Sequence, residues 1–166
     1  IIKEVGFGMS QSAIKTIQQL NPAAINIGGA NGTNFAVIER RRNRQAETLN
    51  IDQFGLSTVE SLISAQIMQN QYPIIATGGI QSANDVITSL MLGATLVSSA
   101  GFMLKTLMDD GQSALVQQIE GWQSALPRLL TLLGAQSNQE LAEKQRLYSP
   151  SLQNFITQQK ASPENR

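Results

Sequence analysis

Two small-residue exits offer bare backbone to an anion: Gly78-Gly79 after the apolar run at 73–77, and Ala100-Gly101 after the run at 95–99. Ser82 with Asp85 forms a capping-box-like start immediately after the first exit, and Ala83, Val86, Ile87, Leu90 and Met91 recur at helical spacing. Strand, glycine pair, helix, strand and glycine is the order in which consecutive parallel α/β units turn N–H groups toward a phosphate. The alternative is two tight turns without a ligand. Phosphate sites of (β/α)₈ barrels lie after the last two strands, which is where these exits fall.

Other residues invite chemistry less directly. Lys3 sits inside the strand-like run Ile-Lys-Glu-Val-Gly. Facing a barrel interior it would be costly unless it met an anionic or electron-rich partner; on an edge strand it would sit in solvent. Residues 28–33, Gly-Gly-Ala-Asn-Gly-Thr, give flexible backbone followed by the Thr33 hydroxyl, or an ordinary turn. Glu39 follows Phe35 by one helical turn, so on a helix the two share a face. A carboxylate beside an aromatic can serve as an acid, whereas spacing alone favours an exposed Glu ahead of an arginine run. Arg40-Arg41-Arg42-Asn43-Arg44 could clamp a diphosphate through bidentate contacts. A solvated loop is the reading favoured by its lack of anchoring apolar residues. Trp122 and the leucines after it read as packing surface.

Composition removes several classes of function. In 166 residues there is no His and no Cys, so this chain supplies no imidazole base, no thiol nucleophile, no disulfide and no Cys/His zinc site. Twelve basic residues balance twelve acidic ones, which leaves no global field to draw nucleic acid or a membrane surface. At 42% apolar and 14% charged, the chain is globular rather than disordered. No run approaches the ~20 apolar residues of a membrane span, and no signal peptide is visible. The lack of Cys is compatible with a cytoplasm, which is the expected location. The sequence opens on Ile-Ile-Lys inside a strand-like run, as a fragment would.

The elements that must position these residues alternate. Strands are expected at 1–5, 23–27, 73–77 and 95–99. Ser10 caps a helix with Ala13, Ile14, Ile17 and Leu20 on one face, and Ser57 with Glu60 starts another carrying Val59, Leu62, Ile63 and Ile67. Residues 34–55 read as a long irregular stretch. A helix is expected from about Gly111, kinked or divided at Pro127, with a further helix at 138–147 and a frayed tail from 149. Parallel strands need crossovers, so four such units make an α/β fold. A complete (β/α)₈ barrel needs about 250 residues. The chain is therefore expected to be the C-terminal half of a barrel, about four βα units over 1–148, with a flexible tail at 149–166.

Taken together, Lys3 to Ser10, Gly32 to Glu39, Phe54 to Thr58, Gly78-Gly79-Ile80 and Leu92-Gly93-Ala94 resemble the C-terminal half of type 2 isopentenyl diphosphate isomerase. That family is built on an FMN-binding TIM barrel, and the resemblance runs over roughly 1–141. It implies interconversion of isopentenyl and dimethylallyl diphosphate on reduced FMN with Mg²⁺, with NAD(P)H as a source of reduction. It further implies that Lys3 meets the flavin ring, that Gly28 and Thr33 lie at FMN, and that Gly78, Gly79, Ile80, Gln81, Ala100 and Gly101 surround its phosphate. Glu39 matches a carboxylate near the flavin proposed to assist proton transfer. No residue of this chain is assigned to a metal, since the Mg²⁺-binding Glu belongs to the other half, as do the substrate-side His and Gln. The segment alone is expected to be inactive, and the protein is expected to be a homo-oligomer.

The match has departures. The family often has Ser for Gly28, Gly for Asn31, Trp for Phe35 and Arg for Gln81. A barrel purine-nucleotide dehydrogenase would need a Cys here and a 2-hydroxy-acid oxidase a His; the chain has neither. The remaining alternatives are another FMN-dependent TIM-barrel oxidoreductase and an inert phosphate- or FMN-binding half-barrel. The latter would cover its two open sheet edges by pairing with itself.

Overall fold

The computed structural model describes residues 1–42 and 54–162. Its strands are β1 (Ile2–Lys3), β2 (Ile25–Ile27), β3 (Ile74–Ala76) and β4 (Leu96–Val97), all parallel and paired in chain order. Helices α1 (Gln11–Gln18), α2 (Phe35–Arg42), α3 (Thr58–Ile67) and α4 (Ala83–Met91) fill the crossovers. After β4 come α5 (Gly101–Leu132), α6 (Asn138–Glu143) and α7 (Pro150–Ala161). This is an α/β TIM-barrel fragment of four βα units, as expected. Among the described residues no helix is long and apolar enough to cross a membrane.

Register decides which side chains face where. Ile25, Ile27, Ile74 and Ala76 point to one side and are buried with Ile14, Leu62, Ile63 and Ile156 in the main core. The alternate residues form a row, Lys3–Asn26–Ile75–Leu96, each aligned with the next across neighbouring strands. Strand side chains alternate faces, so this row projects to the opposite side, the one a barrel encloses. It carries the less buried residues of the sheet, ending in Leu96 at 61% exposure.

The expected helix starts hold because each has a side chain for its orphan amides. Ser10, Ser57 and Ser82 accept from Ala13, Glu60 and Asp85, and Glu60 returns the bond to the Ser57 amide at 2.7 Å. Four expectations are corrected. The stretch at 34–55 is not wholly irregular, since Asn34 accepts from the amides of Ala36 and Val37 and launches α2; residues 43–53 lie outside the described part. The tail is not frayed over 150–161: Ser149 caps α7, Ile156 is buried in the main core, and Leu152 and Phe155 pack against it. The sixth helix ends at Glu143, short of Leu147, which is 92% exposed.

The last correction concerns α5. It starts at Gly101 and is broken at Gly111, whose φ of 86° is not helical, rather than at Pro127. Proline's fixed φ suits a helix, and losing one amide there did not break it; a left-handed glycine does. At about 1.5 Å of rise per residue, a continuous helix would hold Phe102 and Trp122 about 30 Å apart. Their rings stack with centroids 5.9 Å apart. Residues 101–110 therefore form a short separate helix folded back on the longer one.

Candidate functional site: a phosphate cradle on a glycine rim

Parallel strands deliver all four exits to one edge of the sheet, and contacts fuse them into a continuous rim. At the β1 exit, the Glu4 carboxylate accepts from the amides of Gly6, Phe7 and Gly8 at 2.5, 2.6 and 3.0 Å. A Cβ on Gly6 would fall 1.9 Å from the Thr33 carbonyl oxygen, and one on Gly28 would fall 1.8 Å from Glu4 Oε1. The β1 exit is thus pressed against the β2 exit. The β2 and β3 exits meet as closely, backbone to backbone: a Cβ on Gly78 would lie 1.6 Å from the Gly28 carbonyl oxygen. Ser99 donates to the Ile80 carbonyl at 2.7 Å and Ser98 to Thr77 Oγ1 at 3.1 Å, which joins the β4 exit to the β3 exit.

Thr58, at the start of α3, pins the middle of this rim. Its buried hydroxyl lies 2.9 Å from the Gly28 carbonyl, 3.1 Å from that of Thr77 and 2.8 Å from that of Gly78. Its amide donates to Asn31 Oδ1 at 3.1 Å. Val keeps the shape of Thr but removes the donor, so Thr58→Val is expected to cost about 1–3 kcal/mol in chemical denaturation. Unchanged stability would mean these carbonyls find other donors.

The donors for an anion stand at the β3 and β4 exits. The amides of Gly79 and Ile80 donate to nothing among the described residues. The short helix at 101–110 begins at Ala100 with no side-chain cap, so its first amides are free to meet a charge at the positive end of the helix dipole. Gly101 has open space where a Cβ would be, which lets an anion approach the main chain. The Ser99–Ile80 bond holds these two donor groups side by side. Gln81 contributes differently: its amide is already taken by Asp85 Oδ2 at 3.0 Å, which leaves its exposed side chain. A cavity of about 200 Å³ adjoins the cradle, bounded by Ile80, Ser98, Ser99, Met103 and Trp122.

The remaining candidates are distributed around the rim. Thr33 is exposed at the β2 exit. Lys3 is exposed in the inward row below it, with no ion pair among the described residues. Glu39 lies on α2, exposed, and pairs with Arg42 at 3.1 Å across one turn of helix. The structure gives it no partner at the rim, while Phe35 is 43% exposed on the same helix. Arg40 to Arg42 are helical rather than loop residues; Asn43 and Arg44 lie outside the described part.

Sequence reasoning missed Glu4, Thr58 and the short helix. Glu4 had a signal: an acid two residues before a Gly-x-Gly turn offers its carboxylate to the amides that turn exposes. Thr58 had none, because its partners lie at residues 28, 77 and 78. Gly111 was the mark of the short helix.

The family model for FMN-dependent dehydrogenase matches residues 51–148. Among curated relatives, isopentenyl-diphosphate delta-isomerase of Lactococcus lactis is 48% identical, aligned over 96% of this chain and 46% of its own length. The protein of that name from Latilactobacillus sakei is 35% identical over 98% of this chain and 46% of its own. The chain thus spans about half the length of the curated relatives it matches. A solved mutant flavocytochrome b2 with benzoylformate superposes with a TM-score of 0.57 over 92% of this chain and 39% of its own, at 17% identity, a likeness of fold.

Proposed function

This chain belongs to the FMN-dependent dehydrogenase family, and from that premise we propose that it is the flavin-phosphate-binding half of an FMN-dependent isopentenyl-diphosphate delta-isomerase. The observation that carries the reading is the cradle. Free amides at Gly79 and Ile80 stand beside an uncapped helix start after Ala100, where Gly78 and Gly79 admit no side chain and Gly101 leaves the approach open. A phosphate monoester fits such a site, since backbone donors and a helix dipole bind anions without needing a cation. Residues present therefore fit FMN.

In this reading Gly79, Ile80, Ala100 and Gly101 hold the phosphate, Gly78 sets the turn, and the Gln81 side chain lies at its edge. Gly28 and Thr33 border the cofactor at the β2 exit. Lys3, on the inward row, brings positive charge to the flavin's pyrimidine end, where it favours the electron-rich form. Glu39 is the flavin-side carboxylate assisting proton transfer. When bound, FMN supplies the main acid/base centre for moving the double bond between isopentenyl and dimethylallyl diphosphate. Mg²⁺ and NAD(P)H serve the complete cytoplasmic enzyme, a homo-oligomer, and the substrate-side groups come from the rest of the barrel.

The full-length protein should purify yellow, or take up FMN with a flavin absorption spectrum, and convert isopentenyl diphosphate only after reduction of the flavin. A colourless protein that cannot be loaded with FMN would sink the proposal. Oxidation of a substrate by the bound flavin in place of isomerisation would transfer the site to another FMN-dependent oxidoreductase.

A further inference from the structure

The inward row holds one feature the reading above does not use. Asn26 Oδ1 is enclosed, with no hydrogen-bond donor among the described residues. A buried acceptor without a partner costs about 1–3 kcal/mol, so such groups are rarely left idle. The residue aligned with Asn26 on the neighbouring strand is Lys3. Parallel neighbours stand about 4.8 Å apart, and aligned residues project to the same face. Lys3 carries three donors and no acceptor, and it has no ion pair among the described residues. An acceptor without a donor thus stands beside a donor without an acceptor.

We propose that Asn26 is a positioning residue for Lys3. Its Oδ1 accepts one ammonium N–H and aims the remaining two at the pyrimidine edge of the flavin. This rests on the flavin reading of the site. The choice of an amide has a consequence for charge. A carboxylate at 26 would orient Lys3 equally well but neutralise it, whereas an amide orients it and leaves its charge for the cofactor.

The test compares Asn26→Leu, Asn26→Asp and Lys3→Met in the full-length, FMN-loaded protein, reading FMN dissociation constant and flavin midpoint potential. Asn26→Leu should weaken FMN binding about tenfold and lower the potential. Asn26→Asp should keep the affinity within about threefold of wild type and still lower the potential, because the ammonium stays in place with its charge offset. In a Lys3→Met background, Asn26→Leu should change neither quantity. Circular dichroism melts identify any variant that fails to fold, and Asn26→Asp keeps the test alive should the Leu variant do so. Equal effects of Asn26→Leu with and without Lys3 would overturn the proposal, as would an unchanged potential in Asn26→Asp. If Lys3→Met itself leaves affinity and potential unaltered, both this inference and the flavin role of Lys3 fall. If Lys3→Met matters and the Asn26 variants do not, only this inference falls.

Discussion

Replacing Gly78 by Ala is expected to destabilise the protein by about 3 kcal/mol or more and to abolish FMN uptake. Two costs combine. The residue has a φ of 86°, which any side chain disfavours. The new Cβ would also lie 1.6 Å from the Gly28 carbonyl oxygen, and the neighbour is backbone, so no rotamer change relieves the clash. The two exits would have to separate, which breaks the Thr58 hydroxyl contacts to Gly28, Thr77 and Gly78. Gly101→Ala is the contrast: its Cβ meets nothing within 4 Å, so stability should change by less than about 1 kcal/mol. Its effect should instead appear in FMN affinity, because the methyl group occupies the approach to the helix amides. Thermal melts with flavin titrations separate the two outcomes. A Gly78→Ala protein with wild-type stability would show that the rim is looser than its backbone contacts imply.

What could be read ahead of the fold was whatever is encoded locally. Ser10, Ser57 and Ser82 announce helix starts because a cap and its amides are three residues apart. The glycine pairs announce exits because a turn needs a left-handed residue on the spot. Whether Lys3 faces a barrel interior or sits on an edge strand in solvent was not legible, because Ile1 is exposed and Ile2 only half-buried; its row follows from register with Asn26 on the next strand. What was hidden depends on distant partners. Thr58 acquires its meaning from carbonyls on two other loops, and Asn26 from a lysine on the next strand. The tail looked frayed because α7 is polar, yet Ile156, Leu152 and Phe155 suffice to fix one face to the core. Glu39 was legible in the reading that spacing favoured: an exposed carboxylate on the helix of Phe35, ahead of the arginine run, where it pairs with Arg42.

The second large effect is expected at Glu4. Its carboxylate gathers three consecutive amides, and bonds to an ionised acceptor contribute about 1.5–3 kcal/mol each before solvent competes for the exposed ones. Glu4→Ala should therefore cost on the order of 3 kcal/mol and loosen the Gly6-Phe7-Gly8 turn. Glu4→Gln should fall between, because an amide oxygen accepts without charge. The same carboxylate closes over Gly28, where a Cβ would come within 1.8 Å of Oε1. A serine at 28 is thus opposed by a side chain rather than by backbone, and it can be admitted if Glu4 swings away and gives up its amides. Gly28→Ser should then destabilise the wild-type protein by nearly as much as Glu4→Ala does, yet add little in a Glu4→Ala background. Additive losses in that double-mutant cycle would mean that Gly28 meets an obstacle other than Glu4. Non-additive ones would show that the β1 and β2 exits are held together by one carboxylate.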